Sequence, residues 1–120
     1  MRLALSLAAA GLAACFALAL APASEAASFD CGRARTATES AICDTRALND
    51  RDVRMAQLYD IVRRVVPMGT RGAQMDRQAA WLRERNRCGA DRACLTRSYD
   101  RRIGELNRLL EERVYSRGPF

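Results

Sequence analysis

The sequence contains no histidine and no lysine, and aromatic residues make up only 6% of its 120 residues. Without histidine, the commonest general base and the commonest metal ligand of proteins are both missing. Ser-His and Cys-His nucleophile pairs are therefore impossible. The chain also lacks a glycine-rich loop of the kind that holds phosphates. Because nothing positive indicates an enzyme, we expect a non-enzymatic protein that binds no cofactor.

Long apolar runs are confined to the N-terminus. Residues 3–20 are almost wholly alanine and leucine, they follow the positive Arg2, and small residues come after them at 21–27. This order is typical of a secretory signal peptide, and we assign residues 1–27 to it. The competing interpretation is a membrane-spanning helix, which is disfavoured because the run is near the lower length limit for spanning.

A second processing route is offered by the residues Leu-Ala-Ala-Cys at 12–15, which resemble a bacterial lipoprotein box. In that route Cys15 becomes the lipidated first residue and anchors the protein to a membrane. The apolar run at 16–20 would then open the mature chain, which disfavours the route. We predict a periplasmic or secreted protein, with a membrane-anchored lipoprotein as the alternative.

Either route leaves an even set of cysteines in the mature domain: Cys31, Cys43, Cys88 and Cys94. Such a set in an exported protein predicts disulfides. Four cysteines allow three pairings. We predict the local pairs Cys31–Cys43 and Cys88–Cys94, because short loops close easily; the rival pattern ties Cys31 or Cys43 to the segment 81–94. Eleven residues lie within the first pair and five within the second, which is unlike a zinc ribbon, so no metal is expected.

Apolar periodicity predicts an all-helical mature domain over residues 28–117, followed by a frayed tail at 118–120. The predicted helices cover about 36–43, 46–66, 73–88 and 92–114. Met68–Gly72 is predicted as a loop, because Pro67 stops the second helix and two glycines follow. The expected fold is a small antiparallel helical bundle stapled by two disulfides, since a chain of this length forms a thin core.

The segment 81–99 predicts a helix–turn–helix joint. Cys88 and Cys94 would lie about 9 Å apart along a continuous helix, whereas a disulfide needs Cα atoms within about 7 Å. A bonded pair therefore breaks the helix between them. Gly89 is suited to a left-handed helix stop, and Asp91 can cap the next helix.

Charged residues surround this turn, and we predict four of them as an exposed candidate binding surface: Arg85, Arg87, Asp91 and Arg92. Trp81 could serve as an interface anchor, but the largest side chain of a small domain belongs more often to the core. All 20 basic residues are arginine, against 14 acidic ones, which gives a formal net charge of +6. This excess suits a solvated surface or contact with anionic lipids or polymers.

These residues carry a resemblance to the LprI-type lysozyme-inhibitor family of small exported bacterial proteins. The segments that match are Phe29-Asp30-Cys31, T-E-S-A-I-C at 38–43, Leu58-Tyr59, W-L-R-E-R at 81–85, Cys88 with Cys94-Leu95, and Tyr99 with Arg102-Ile103 and Glu105-Leu106. The resemblance implies a helical fold with two disulfides and, as a function, inhibition of host lysozyme. Only the cysteine framework is carried over from the family.

The net charge weighs against that function, because common animal lysozymes are basic and would repel a +6 inhibitor at long range. Local complementarity can still work where acidic residues gather on one face. The alternative is an envelope structural or interaction module that contacts anionic lipid or polymer through its arginines. We expect no nucleic-acid partner, and the sequence leaves the oligomeric state open.

Overall fold

The computed structural model describes residues 27–113 and residue 116. A short 3-10 helix at Cys31–Arg33 is followed by four α-helices: α1 (Ala37–Asp44), α2 (Arg46–Val65), α3 (Met68–Asn86) and α4 (Arg92–Arg113). The described residues contain no strand, which confirms the all-helical fold. Residues 1–26 of the predicted signal peptide, including Cys15, and the tail at 118–120 lie outside the described residues.

The start of α1 is fixed by a reciprocal cap between Thr36 and Glu39. The Thr36 hydroxyl accepts from the Glu39 backbone N–H at 3.1 Å, and the Glu39 carboxylate accepts from the backbone N–H groups of Thr36 and Arg35. Each bond satisfies a donor that has no partner within the helix. The two backbone donors lower the pKa of the Glu39 carboxyl. This capping box holds α1 at the place that the sequence predicts.

The segment Met68–Gly72 is helical, so its prediction as a loop is wrong. Pro67 is the N-cap of α3, and its carbonyl accepts from the backbone N–H groups of Thr70 at 2.9 Å and Arg71 at 3.1 Å. Proline has its φ preset and gives up no needed hydrogen bond at the start of a helix. Each glycine costs about 1 kcal/mol relative to alanine, which these first-turn bonds and the packing of α3 overcome.

Helices α2 and α4 point in the same direction, and α3 runs antiparallel to both beside them. Asp52 of α2 pairs with Tyr99 of α4. Three residues further along both helices, Gln78 of α3 donates to the Met55 sulfur and accepts from the Arg102 guanidinium. This register brings polar side chains of α2, α3 and α4 into one buried column.

The core combines the apolar faces of α1, α2 and α4 with Trp81 of α3. Its most buried apolar members are Ile42, Leu48, Met55, Val62, Leu95, Tyr99 and Leu106. Two apolar residues of α3 stay at the surface, since Met75 is 50% exposed and Ala79 is also exposed. Instead α3 buries Gln78, Trp81 and Arg85. A helix with so polar a buried face depends on hydrogen bonds as well as apolar contact for its place in the bundle.

Both predicted disulfides are present. Cys31 is bonded to Cys43 and Cys88 to Cys94, with Cα atoms 5.8 Å and 5.6 Å apart respectively. The local pairing is thereby confirmed over the cross-linked pattern. Disulfides persist in oxidising compartments outside the cytosol. None of the helices in residues 27–113 carries an apolar stretch long enough to cross a membrane.

Candidate functional site

The joint between α3 and α4 is a short turn over residues 87–91. Together with Arg92, the first residue of α4, we call it the pinned turn. Helix α3 ends at Asn86, and Gly89 adopts a φ of 56°, the only positive φ among the described residues. A side chain with a Cβ is strained in that conformation. The left-handed stop that the sequence places at Gly89 is confirmed.

Two bonds close the pinned turn onto the start of α4. The Cys88–Cys94 disulfide spans it, and the Asp91 carboxylate accepts from the Cys94 backbone N–H at 3.0 Å. Asp91 therefore caps α4, as its place in the sequence predicts. The backbone of the turn is fixed at both ends and has little freedom left to lose when a partner binds.

Helix α1 braces the pinned turn from the side. The buried Thr38 hydroxyl lies 3.0 Å from the Gly89 carbonyl oxygen and 3.3 Å from that of Asn86, so that it donates between them. The Gly89 carbonyl accepts from no other donor among the described residues, whereas the Asn86 carbonyl at the end of α3 also accepts from the Gly89 backbone N–H at 3.2 Å. One short side chain thus joins the first helix to a turn about 50 residues later in the chain.

Replacing Thr38 with valine should lower the free energy of unfolding by about 1–2 kcal/mol, because the shape is kept and the Gly89 carbonyl loses its donor. Thr45→Val is the matched control, since the buried Thr45 hydroxyl has no partner among the described residues. We expect that control to be neutral or slightly stabilising. Urea denaturation of both variants measures the difference. Equal stability of the two would show that the brace contributes nothing.

Beneath the pinned turn lies a buried ion pair between α2 and α3. Asp52 is 0% exposed and Arg85 is 6% exposed. The Tyr99 hydroxyl links them, because it donates to Asp52 Oδ1 at 2.7 Å and accepts from Arg85 Nη1 at 3.1 Å. Arg85 Nη1 lies 3.6 Å from the same carboxylate oxygen. The pair joins three helices directly below the turn.

The remaining hydrogen-bonding groups of this pair are also satisfied. Asn86 Oδ1 accepts from Arg85 Nε at 3.1 Å and from Nη2 at 2.9 Å. Asp52 Oδ2 accepts from the Ser28 backbone N–H at 2.7 Å, which ties the start of the described chain to α2. A buried charge is tolerated only when it is paired and hydrogen-bonded in this way.

Aromatic rings enclose the ion pair. The Trp81 and Tyr99 rings meet edge to face with centroids 5.3 Å apart, and the Arg85 guanidinium carbon lies 5.6 Å from the Trp81 ring. The Trp81 indole N–H donates to the Ser98 carbonyl at 3.2 Å. Trp81 is a core residue, as the sequence predicts, and its contacts orient Arg85.

The electrostatics of the pair keep Tyr99 protonated. Burial raises the pKa of the Tyr99 phenol, and the Asp52 carboxylate raises it further. A protonated phenol can donate to the carboxylate, whereas a phenolate beside it would be repelled. The network therefore serves as a fixed support for the turn.

The structure places three of the four predicted surface residues, Arg87, Asp91 and Arg92, on the outside of the pinned turn. The prediction that Arg85 is exposed is wrong. Arg85 follows Trp81 by four residues, so both lie on the buried face of α3. It supports the turn from inside and is not available to a partner.

A groove of about 260 Å³ runs beside the Cys88–Cys94 disulfide and is lined by Arg87, Arg97 and Arg101. Arg101 is paired with Glu84 at 2.5 Å. Arg87 and Arg97 form no ion pair with any residue that the structure describes. The disulfide thus lies next to two arginines, Arg87 and Arg97, whose charges are free to meet a carboxylate.

No group of three or more potential metal ligands comes together within residues 27–113. The four cysteines of that part are all bonded as disulfides, so none of them is a free nucleophile. The side chains that converge at the pinned turn are arginines and one capping aspartate. This chemistry suits recognition of a negatively charged group.

The burial of Asp52 and Arg102 was not predicted from the sequence. The signal was present in the spacing, since Asp52 falls between Leu48 and Met55 on the apolar stripe of α2. Arg102 occupies the equivalent place between Tyr99 and Leu106 on α4. Periodicity marks a face as buried whatever the residue type, so a charged residue at such a place predicts a buried ion pair or network.

No family model, no curated protein and no solved structure matches this chain. The LprI-type resemblance therefore rests on the residues quoted above and stays a prediction.

Proposed function

We propose that this chain is an exported, non-enzymatic binding protein that inhibits lysozyme, and that the pinned turn is the part that contacts the enzyme. The family resemblance supplies the target. The observation that carries the proposal is a turn bearing Arg87 and Arg92 on its surface and held by a disulfide, a helix cap and the Thr38 brace. The periplasm or the exterior of the cell is the proposed location, with lipidation at Cys15 as the alternative.

Attraction between opposite charges at close range can offset the long-range repulsion between two basic proteins. Lysozyme cleaves its substrate with two carboxyl groups that flank the scissile bond. An arginine side chain that enters the cleft meets those groups at close range, where opposite charges attract strongly. Arg87 and Arg92 are exposed on the pinned turn, and neither is engaged in an ion pair with a described residue.

Rigidity favours the same surface. Ordering a flexible loop on binding costs about 0.5–1.5 kcal/mol for each immobilised side chain with many rotamers, in addition to the backbone cost. In the pinned turn, the disulfide and the Asp91 cap already fix the backbone. When the turn binds a partner, its arginines therefore lose side-chain conformational entropy but the backbone loses little.

The double variant Arg87→Gln/Arg92→Gln should inhibit lysozyme at least about tenfold more weakly, because two charged contacts are lost. Arg46→Gln/Arg54→Gln is the matched control, since it removes the same charge from the exposed face of α2. The control lowers the long-range repulsion equally and should inhibit as well as the native protein or better. Residual lysozyme activity against inhibitor concentration measures both. Equal loss in the two variants would point to net charge and away from the turn.

An envelope module that contacts anionic lipid is the second candidate function, favoured by the corner between α2 and α3. Met68 is 84% exposed there, and Arg63, Arg64 and Arg71 together line one depression of about 310 Å³. An exposed apolar side chain near clustered arginines suits the surface of an anionic membrane. A native protein that leaves lysozyme fully active but sediments with anionic vesicles would favour this function over inhibition.

A further inference from the structure

A cavity of about 200 Å³ lies between the first half of α3 and the second half of α4. Arg102 lines it together with Arg77 and Arg108. It is separate from the pinned turn, and no role in the proposed inhibition is assigned to it.

Arg102 is only 1% exposed, and its guanidinium is only partly satisfied. Nε donates to Gln78 Oε1 at 3.1 Å, and Nη1 donates to Glu105 Oε2 at 3.2 Å. Nη2 is buried and finds no acceptor among the described residues. Arg102 and its partner Glu105 both line the cavity, so the Arg102 side chain borders that space. Leaving a buried donor of a charged group without an acceptor costs free energy, and an acceptor that bound there would remove that cost.

The charge around Arg102 is consistent with a missing anion. Burial lowers the pKa of the Arg102 guanidinium, and the nearby Arg77 lowers it further, while Glu105 opposes the shift. Arg77 and Arg108 are exposed and form no ion pair with another described residue. An additional negative charge in the cavity would stabilise all three guanidinium groups.

The walls of the cavity limit the kind of anion. Three arginines and the carboxylates of Glu105 and Glu112 leave a single excess positive charge, which suits a monoanion better than a dianion. The half-buried Leu109 supplies an apolar wall for a short aliphatic group. Arginine presents a planar fork whose two N–H groups match the two oxygens of a carboxylate.

We propose that this cavity binds a short aliphatic carboxylate, with Arg102 Nη2 as the buried donor and Arg77 and Arg108 as the outer cations. The ligand carries one negative charge and a small apolar group. Two sources offer this chemistry, a free short-chain acid and the C-terminal carboxylate of a peptide. A bound water on Nη2, with no carboxylate selected, is the competing explanation.

Titration of the purified, disulfide-bonded protein, followed by NMR at the arginine Nε–H signals, tests the proposal. The probes are butyrate for a free acid, N-acetylalanine for a peptide terminus, N-acetylalaninamide as its neutral match, and inorganic phosphate. We expect saturable shifts with at least one carboxylate at a dissociation constant of about 1 mM, as ligands of this size allow. The neutral amide should produce no saturable shift. The tighter of the two carboxylates identifies the source.

Variants locate the site on the molecule. Arg77→Gln/Arg108→Gln changes exposed residues only, keeps the fold, and should weaken carboxylate binding at least about tenfold. Arg54→Gln/Arg83→Gln removes the same charge from exposed positions that do not line the cavity and should leave binding unchanged. Arg102→Gln should abolish binding, with circular dichroism to check its fold.

Four results would overturn the proposal. In the titrations, these are carboxylates that cause no shift, an amide that binds as well as the acid, and phosphate that binds more tightly than the carboxylates. Among the variants, it is an equal effect of the two double substitutions on binding.

Discussion

Replacing Asp52 with alanine should lower the free energy of unfolding by about 3–5 kcal/mol, the usual cost of removing one partner of a buried ion pair. Asp52 is fully buried, and its two oxygens accept from the Tyr99 hydroxyl and the Ser28 backbone N–H, both at 2.7 Å. Its loss leaves the Arg85 cation buried without a counter-charge. It also frees the start of the described chain from α2.

Two further variants separate charge from position in this experiment. Asp50→Ala changes an exposed aspartate of the same helix, whose contact with Arg46 at 4.0 Å lies in solvent, and should cost less than about 1 kcal/mol. Asp52→Asn keeps the shape and an acceptor for Tyr99 but removes the charge, so its stability should fall between those of the two alanine variants. Urea denaturation compares all three. A cost for Asp52→Ala within 1 kcal/mol of that for Asp50→Ala, on the order of a surface substitution, would contradict the role given to the buried pair.

The double variant Cys88→Ser/Cys94→Ser should inhibit lysozyme at least about tenfold more weakly at a temperature where it remains folded, because its turn must be ordered on binding. Its free energy of unfolding should fall by about 2–3 kcal/mol, as chain entropy gives for a loop of this length. The Thr38 brace and the buried Arg85 remain, so the helices themselves should persist by circular dichroism.

Cys31→Ser/Cys43→Ser is the matched control, because it opens the other disulfide, which joins the 3-10 segment to the end of α1. Its loop is also short, so its cost in stability is similar, about 3 kcal/mol, while the pinned turn stays closed. We expect this control to inhibit as the native protein does. If both double variants inhibit equally well when folded, the Cys88–Cys94 bond contributes stability alone and has no part in recognition.

Most of the helix boundaries could be predicted from the sequence, because the signals that set them are local. The glycine at 89 and the capping aspartate at 91 each act within a few residues, and the structure confirms both. The capping box of Thr36 and Glu39 is local in the same way. The prediction of a loop at Met68–Gly72 was wrong because it also rested on local signals alone. Two glycines dominate a local assessment, whereas the Pro67 cap and the packing of α3 decide the outcome.

The support of the candidate site was only partly within reach of the sequence. Helical spacing can show that Asp52 and Arg85 lie on buried faces, but it cannot show that they face each other. Their link, Tyr99, is 47 residues from Asp52 and 14 from Arg85 in sequence. Such a partnership depends on how α2, α3 and α4 are placed in space, and the apolar pattern of each helix alone leaves that open.

Lysozyme activity measured against rising concentrations of the purified, disulfide-bonded native protein tests the proposed function most directly. We expect activity to fall in a saturable manner, and the Arg87→Gln/Arg92→Gln variant to require at least about ten times more protein for the same loss. Full lysozyme activity at every concentration of the native protein would contradict the inhibitor function.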